Sequence, residues 1–234
     1  MQTIAPSFRC HRYPPEVFTQ CVRLYYRFSL SYRDVEELMF ERGIIVSYES
    51  IRRWCHKFGP AIAAGLRERR PQPQDKWHLD EMYIKMSGRT YYLWRAVDAD
   101  GMVLDILVQE RRNQVAAETF LRRLVEAYPD EPRVVATDKL ASYAPAIKTV
   151  LPRAEHRRHK GLNNRAENSH QPTRQRERVM RRFKSVGQAQ QFLERFGPIR
   201  EHFCPGRRRR SACGVRASLT LRFATWREVA GLAA

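Results

Sequence analysis

The sequence predicts an α/β protein, a mixed sheet flanked by helices, behind a small all-α domain. Three observations carry this. Between residues 77 and 109, three apolar runs are separated by turn residues, the pattern of an antiparallel meander. An amphipathic helical repeat and a short buried run, RVVAT, follow them. Ahead of them, residues 14–58 hold apolar stripes at helical spacing. At 234 residues the chain is long enough for one sizeable core plus a satellite domain.

Residues 1–13 read as an irregular basic lead-in. Pro14-Pro15 opens a helix in which Val17, Cys21, Leu24, Tyr25 and Phe28 recur near helical spacing. Ser31 to Asp34 resembles a capping box and starts a second helix with Val35, Leu38 and Met39 as its stripe; Gly43 ends it. A third starts at Ser47. It turns Ile51, Trp54, Cys55 and Phe58 inward and leaves Tyr48, Glu49, Arg52, Arg53 and His56 outward. Two short helices joined by a Gly-containing turn, the second rich in arginine, describe a helix-turn-helix. Its recognition helix is 48–58, with Arg52 and Arg53 reaching base edges or phosphates and Tyr48 and His56 beside them. A three-helix cap with solvated arginines is the plainer alternative. This domain spans 1–66; RERRPQPQD, charged and proline-broken, makes 67–76 a linker.

WHLDEMYIKM at 77–86 is the first strand. Asp80 shares a face with Met82, Ile84 and Met86, and Trp77, Leu79 and Tyr83 take the other. Both faces are largely apolar, as in a central strand covered on both sides. A carboxylate there is costly without a compensating cation or hydrogen bonds. Strands at 90–97 and 102–109 complete the meander. Asn113 then caps a helix with Ala116, Phe120, Leu124 and Ala127 on one side, and the strand at 133–137 ends at Asp138. A helix at 140–150, a short strand at 154–157, a loop at 159–165 and a helical stretch from Ala166 carrying Glu167 come next. A helix at 186–202, broken near Gly197-Pro198, closes the domain. Three strands, a helix, a strand and more helix is the order of a ribonuclease H-like domain, here 77–203. The basic tail 204–234 holds the run 207–210 and a short helical pattern around Trp226.

The chain has 43 Lys+Arg against 25 Asp+Glu, a formal net charge of +18. Such an excess marks a polyanion binder. The arginines recur along the chain instead of gathering on one amphipathic helix, so nucleic acid is favoured over a membrane surface. Five cysteines without a CxxC pair exclude a disulfide framework and a paired-cysteine zinc site, and fit a reducing cytoplasm. No signal core and no apolar run of membrane-spanning length is present, so a soluble, non-exported, nucleoid-associated protein is expected.

Three acids stand out by position. In a ribonuclease H-like sheet the first and fourth strands are neighbours, so Asp80 and Asp138 converge, and a late helix can bring Glu167 over them. Singly, Asp138 reads as a helix cap, Glu167 as an ordinary helix carboxylate, and Asp98, Asp100 and Asp105 as turn or exposed-strand residues. Together, the three need cations. Hard carboxylate oxygens select magnesium, with manganese as substitute. Two ions about 3.5–4 Å apart activate a nucleophile and stabilise the leaving oxygen of a phosphoryl displacement.

The stretches PPEVFTQCVRLYYRFSLSYRDVEELMFERGIIVSYESIRRWCHKFGP, WHLDEMYIKMSGRTYYLWRAVDADGMVLDILV, VVATDKLASY and HKGLNNRAENSHQPTRQRERVMRRFKS span nearly the whole chain after the first dozen residues. In them the chain resembles the bacterial DDE transposases of insertion sequence family six. The resemblance implies that Asp80, Asp138 and Glu167 are the catalytic acids and metal ligands. It further implies a basic partner seven positions after the glutamate, Arg174, stacked on the same helix face, with Lys160 and Arg174 among the DNA contacts. Pro172, between Glu167 and Arg174, is expected to kink or end that helix. The implied activity is cleavage and strand transfer at terminal inverted repeats, replicative through cointegrates, by a homodimer or larger multimer pairing two duplex DNA ends. A DNA-binding regulator with an inactive catalytic domain and a plain nuclease of the same fold are the alternatives.

Overall fold

A computed structural model of the chain describes residues 7, 11–158, 164–204 and 211–232. Its elements run α1 (Pro15–Arg27), α2 (Tyr32–Phe40), α3 (Tyr48–Glu68), β1 (Lys76–Met86), β2 (Arg89–Asp98), β3 (Val103–Gln109), α4 (Gln114–Ala127), β4 (Val134–Thr137), α5 (Tyr143–Val150), β5 (Glu155–Arg158), α6 (Asn164–Ser169), α7 (Gln171–Val179), α8 (Val186–His202) and α9 (Ala212–Val229). Internal contacts group the chain into two compact units, Met1–Arg70 with Glu194–Ala234, and Pro71–Leu193. The sequence reading instead separates 77–203 from a 204–234 tail.

In the first unit, α2 starts at Ser31 because its side chain accepts from the Asp34 N–H while the Asp34 carboxylate accepts from the Ser31 N–H. Ser47 caps α3 likewise, accepting from the Ser50 N–H. Phe18 meets Trp54 edge-on at 4.5 Å between centroids, and Tyr25 stacks on Tyr32 at 4.1 Å. Phe28 lies past the end of α1 and is exposed. Gly59-Pro60 does not end α3, which runs on to Glu68 and takes in the start of the expected linker. A proline inside a helix lacks the N–H and crowds the carbonyl four residues back, but the segment beyond it is held by burial of Ile62, Ala63, Gly65 and Leu66. α9 packs on α3. A Cβ added at Gly65 meets Val229 Cγ1 at 2.7 Å, so the absent side chain sets how closely the two helices approach. Within the tail, Ala212–Val229 form an 18-residue helix, longer than its weak apolar pattern suggests.

The second unit is an α/β domain with a five-stranded sheet in the order β3-β2-β1-β4-β5. β1–β2 and β2–β3 pair antiparallel; β1–β4 and β4–β5 pair parallel. That is the ribonuclease H-like topology, and the boundaries expected from the sequence hold to within a residue or so for each strand. α4 and α5 pack together, and Phe120, Leu121, Leu124, Tyr143 and Ile147 from them join Trp77, Leu79, Trp94 and Val135 in one buried core. Ala127 is exposed; Ala117 and Leu121 take its expected place in the stripe. α6 packs on β1 and β2. Two further expectations fail here. α5 begins at Tyr143 and not at residue 140, because 138–142 form a turn held by Asp138. α8 passes through Pro198 unbroken, with Phe196 and Ile199 buried on either side.

Overpacking a helix contact costs about 1–3 kcal/mol, more than the roughly 1 kcal/mol that alanine gains over glycine in a helix. Gly65→Ala should therefore lower the melting temperature. Gly187→Ala, where an added Cβ has nothing within 4 Å, should leave it unchanged or raised in the same thermal unfolding assay.

Candidate active site

The last pairs between β1 and β4 are His78 with Ala136 and Leu79 with Thr137. Asp80 and Asp138 are the next residues on the two strands, so parallel pairing delivers both carboxylates to one place. Pairing with β4 stops there while β1 runs on to Met86. Side chains from both faces of β1 can then reach the same point, and Glu81 joins the two aspartates. Asp80, Glu81 and Asp138 each offer a carboxylate oxygen, all within 4.8 Å of one another.

Each acid is held. Asp138 Oδ1 accepts from the Leu140 N–H at 2.9 Å, closing a turn instead of capping α5, which starts after Ser142, while Oδ2 lies 3.6 Å from Arg112 Nη2. Glu81 is 2% exposed at its side chain. One of its oxygens accepts from Arg112 Nε at 2.6 Å and the other from the Tyr143 hydroxyl at 2.7 Å. Asp80 faces Arg95, its cross-strand neighbour on β2. His170, buried at the α6–α7 junction, brings Nε2 to 3.1 Å from Asp80 Oδ2. Burial, with Arg95 and Arg174 nearby, pushes the His170 pKa down. Arg95 in turn donates to the Ser169 carbonyl and, at 2.6 Å, to Thr173 Oγ1, tying that junction to the sheet.

Glu167 is not brought into the cluster. It is exposed on α6, and its carbonyl accepts from the His170 N–H. α6 stops at Ser169 and α7 begins at Gln171 with Pro172 in its first turn. Glu167 and Arg174 therefore sit on two helices, not on one face of a single helix. Arg174 lies over the Tyr83 ring at 5.6 Å. Of the loop expected at 159–165, residues 159–163, Lys160 among them, lie outside the described residues, as does the run 207–210; Asn164 already begins α6.

On α3, Arg52 is committed to Glu49 through two hydrogen bonds of 2.9 and 2.7 Å. Arg53 has a 3.4 Å contact with the same carboxylate and is 76% exposed. Tyr48 is exposed beneath Arg33, and His56 Nδ1 lies 3.3 Å from Arg195. The sequence reading missed Glu81. Its signal was a second carboxylate beside Asp80 in a strand apolar on both faces. Asp98 is a turn residue as expected, accepting from the Asp100 and Met102 N–H groups, but it is buried.

Burial, then the Asp138 charge, pushes the Asp80 pKa up to about 7, against the pull of Arg112 and Arg95. Burial also raises Glu81 to about 7, opposed by Tyr143 and Arg112. Hard oxygen donors crowded where their ionisation is resisted suit a magnesium- or manganese-like ion, which favours the charged form. A carboxyl raised in the folded state stabilises the fold while protonated. That contribution is whole below about pH 4 and is lost as pH rises through about 7. Without divalent ions the melting temperature should rise as pH falls from about 8 to about 6. Asp80→Asn should flatten this profile; a profile as steep as wild type would contradict the assignment.

The DDE domain model of IS240-type transposases matches residues 74–204. The transposase for insertion sequence-like element IS431mec of Staphylococcus aureus is 32% identical over 192 residues, 80% of this chain and 84% of that one. The transposase for insertion sequence element IS257 in transposon Tn4003, also from Staphylococcus aureus, matches to the same extent. Likeness to solved structures is slight: the HTLV-2 integrase catalytic core domain in complex with magnesium covers 42% of this chain and 67% of its own, at 16% identity and a TM-score of 0.34. The family model and the two relatives together place this chain among the bacterial DDE transposases of insertion sequence family six, enzymes of DNA transposition.

Proposed function

We propose that this transposase binds the terminal inverted repeats of its own insertion element through α3 and cuts and joins DNA at the Asp80–Asp138 site. The observation that supports it most is the pair of acids at the ends of adjacent parallel strands, with oxygens within 4.8 Å, in a chain of charge +18. Asp80 and Asp138 would hold the metal, and Glu167 would complete the set from α6, which packs on β1 and β2. Two divalent ions, when bound, supply Lewis-acid polarisation of the phosphate and an activated water. Asp80 and Asp138 fix the site; His170 and Arg95 fix Asp80 and the α6–α7 junction that carries Glu167.

Hydrolysis at the element end frees a 3′ hydroxyl, and that hydroxyl attacks a target phosphodiester in line, releasing the target's own 3′ oxygen. Both steps use one site, so a multimer is needed to hold two ends together. The products are cointegrates from replicative movement, and the enzyme works on the nucleoid in the cytoplasm. In the helix-turn-helix reading, Tyr48, Arg53 and His56 face DNA, and Lys160 and Arg174 are further DNA contacts. Arg52 contributes less than Arg53, because leaving Glu49 offsets part of its gain.

Asp80→Ala, Asp138→Ala and Glu167→Ala should each abolish joining of element ends in magnesium while a gel shift shows end binding intact. Joining retained by all three variants would end this mechanism. Arg53→Ala should weaken end binding and flatten the dependence of log affinity on log salt by about one unit of slope. Arg52→Ala should do so less; equal slopes for wild type and Arg53→Ala would remove Arg53 from the DNA interface.

A further inference from the structure

Arg112 lies in the connection between β3 and α4, and its anchor is unusual. Its Nε donates to Glu81 Oε1 at 2.6 Å, and Nη2 pairs with the same carboxylate. The other Glu81 oxygen takes the Tyr143 hydroxyl at 2.7 Å, and Tyr143 is fully buried in the core against α4. Glu81 is 2% exposed and Arg112 41% exposed at the side chain, so a buried base carries a cation whose far edge meets solvent. Nη2, the nitrogen shared with Glu81, is also the one beside the acids, 3.6 Å from Asp138 Oδ2.

If Arg112 served only to neutralise the aspartates, a direct hydrogen-bonded pair with Asp138 would suffice. The guanidinium is aligned on Glu81 instead, at 2.6 Å, and merely near Asp138. A guanidinium carries five N–H donors in a rigid planar fork, and two of its nitrogens are spent on Glu81. Nη2 keeps a second N–H and Nη1 both of its own, and they belong to a fork whose Nη2 is fixed 3.6 Å from Asp138 Oδ2, where a phosphate held by the acid pair would approach.

Building on the DDE reading above, we propose that Arg112 is a catalytic residue that binds a non-bridging oxygen of the DNA phosphate under attack, and that Glu81, backed by Tyr143, is the positioning residue that aims it. As negative charge grows on that phosphate, the fixed N–H groups stabilise it without having to reorganise. Asp80 and Asp138 remain the metal ligands, and Glu81 is withdrawn from that role because both its oxygens are engaged.

The test uses the full chain, a duplex oligonucleotide carrying the element's end, and magnesium, with cutting and joining measured alongside a gel shift and a melting curve. Arg112→Ala should lower the cutting rate by about 100-fold, the loss typical for one oxyanion donor. End binding should be unchanged, as should the rise in melting temperature on adding manganese. Arg112→Lys, which keeps the charge but not the fork, should recover only part of the rate. The double variant Glu81→Gln with Arg112→Ala removes the buried unpaired charge that the single variant leaves behind. It should regain stability without regaining rate. Recovery of cutting by the double variant, or wild-type cutting by Arg112→Ala, overturns the role given to Arg112 while leaving the DDE reading intact. Cutting by Asp80→Ala instead sinks the DDE reading itself.

Discussion

The site depends on the parallel pairing of β1 with β4. Two carboxylates do not gather in a buried place by their own attraction; burial and mutual repulsion raise the Asp80 pKa against it. They are brought together because the strands before them pair through four residues and end at Leu79 and Thr137. Parallel pairing demands a crossover, and α4 supplies it. The apolar face of α4, through Phe120, Leu121 and Leu124, is therefore what pins the acids. Burial of hydrocarbon on one side of the sheet holds an electrostatically unfavourable arrangement in place at its edge.

Much of this was legible in the chain's pattern. Period-two alternation located β1, β2 and β3, and the capping chemistry of Ser31 and Asn113 located two helix starts, because both are local rules satisfied by local contacts. Asp80 was legible as a carboxylate in an apolar strand. The failures have a common cause, which is tertiary context outvoting a local signal. Gly197-Pro198 reads as a break, yet burial on both sides carries α8 through it, and α3 likewise runs on past Pro60. Glu81 escaped because alternation puts it on the face opposite Asp80, and only the early end of β4 lets both faces meet at Asp138. Glu167 and Arg174 were read onto one helix from spacing alone, and the break at His170, with Pro172 behind it, separates them.

The net charge also means something narrower than its size suggests. A surplus of +18 invites the picture of a uniformly cationic surface, but several arginines are structural. Arg176 is fully buried against Phe192, and Arg95 is 5% exposed and spent on the α6–α7 junction. Arg52 is bound to Glu49, and Arg112 to Glu81. Cations of this kind add little to long-range attraction of DNA, since their field is largely cancelled by the partner or fixed in the core. What they add is geometry. An arginine tied by two nitrogens to a buried carboxylate cannot drift, so the donors it has left are already aimed when a phosphate arrives. In the proposed mechanism the same residue type thus does two jobs: loosely held side chains such as Arg53 gather the polyanion, and anchored ones beside Asp80 and Asp138 decide where its backbone comes to rest.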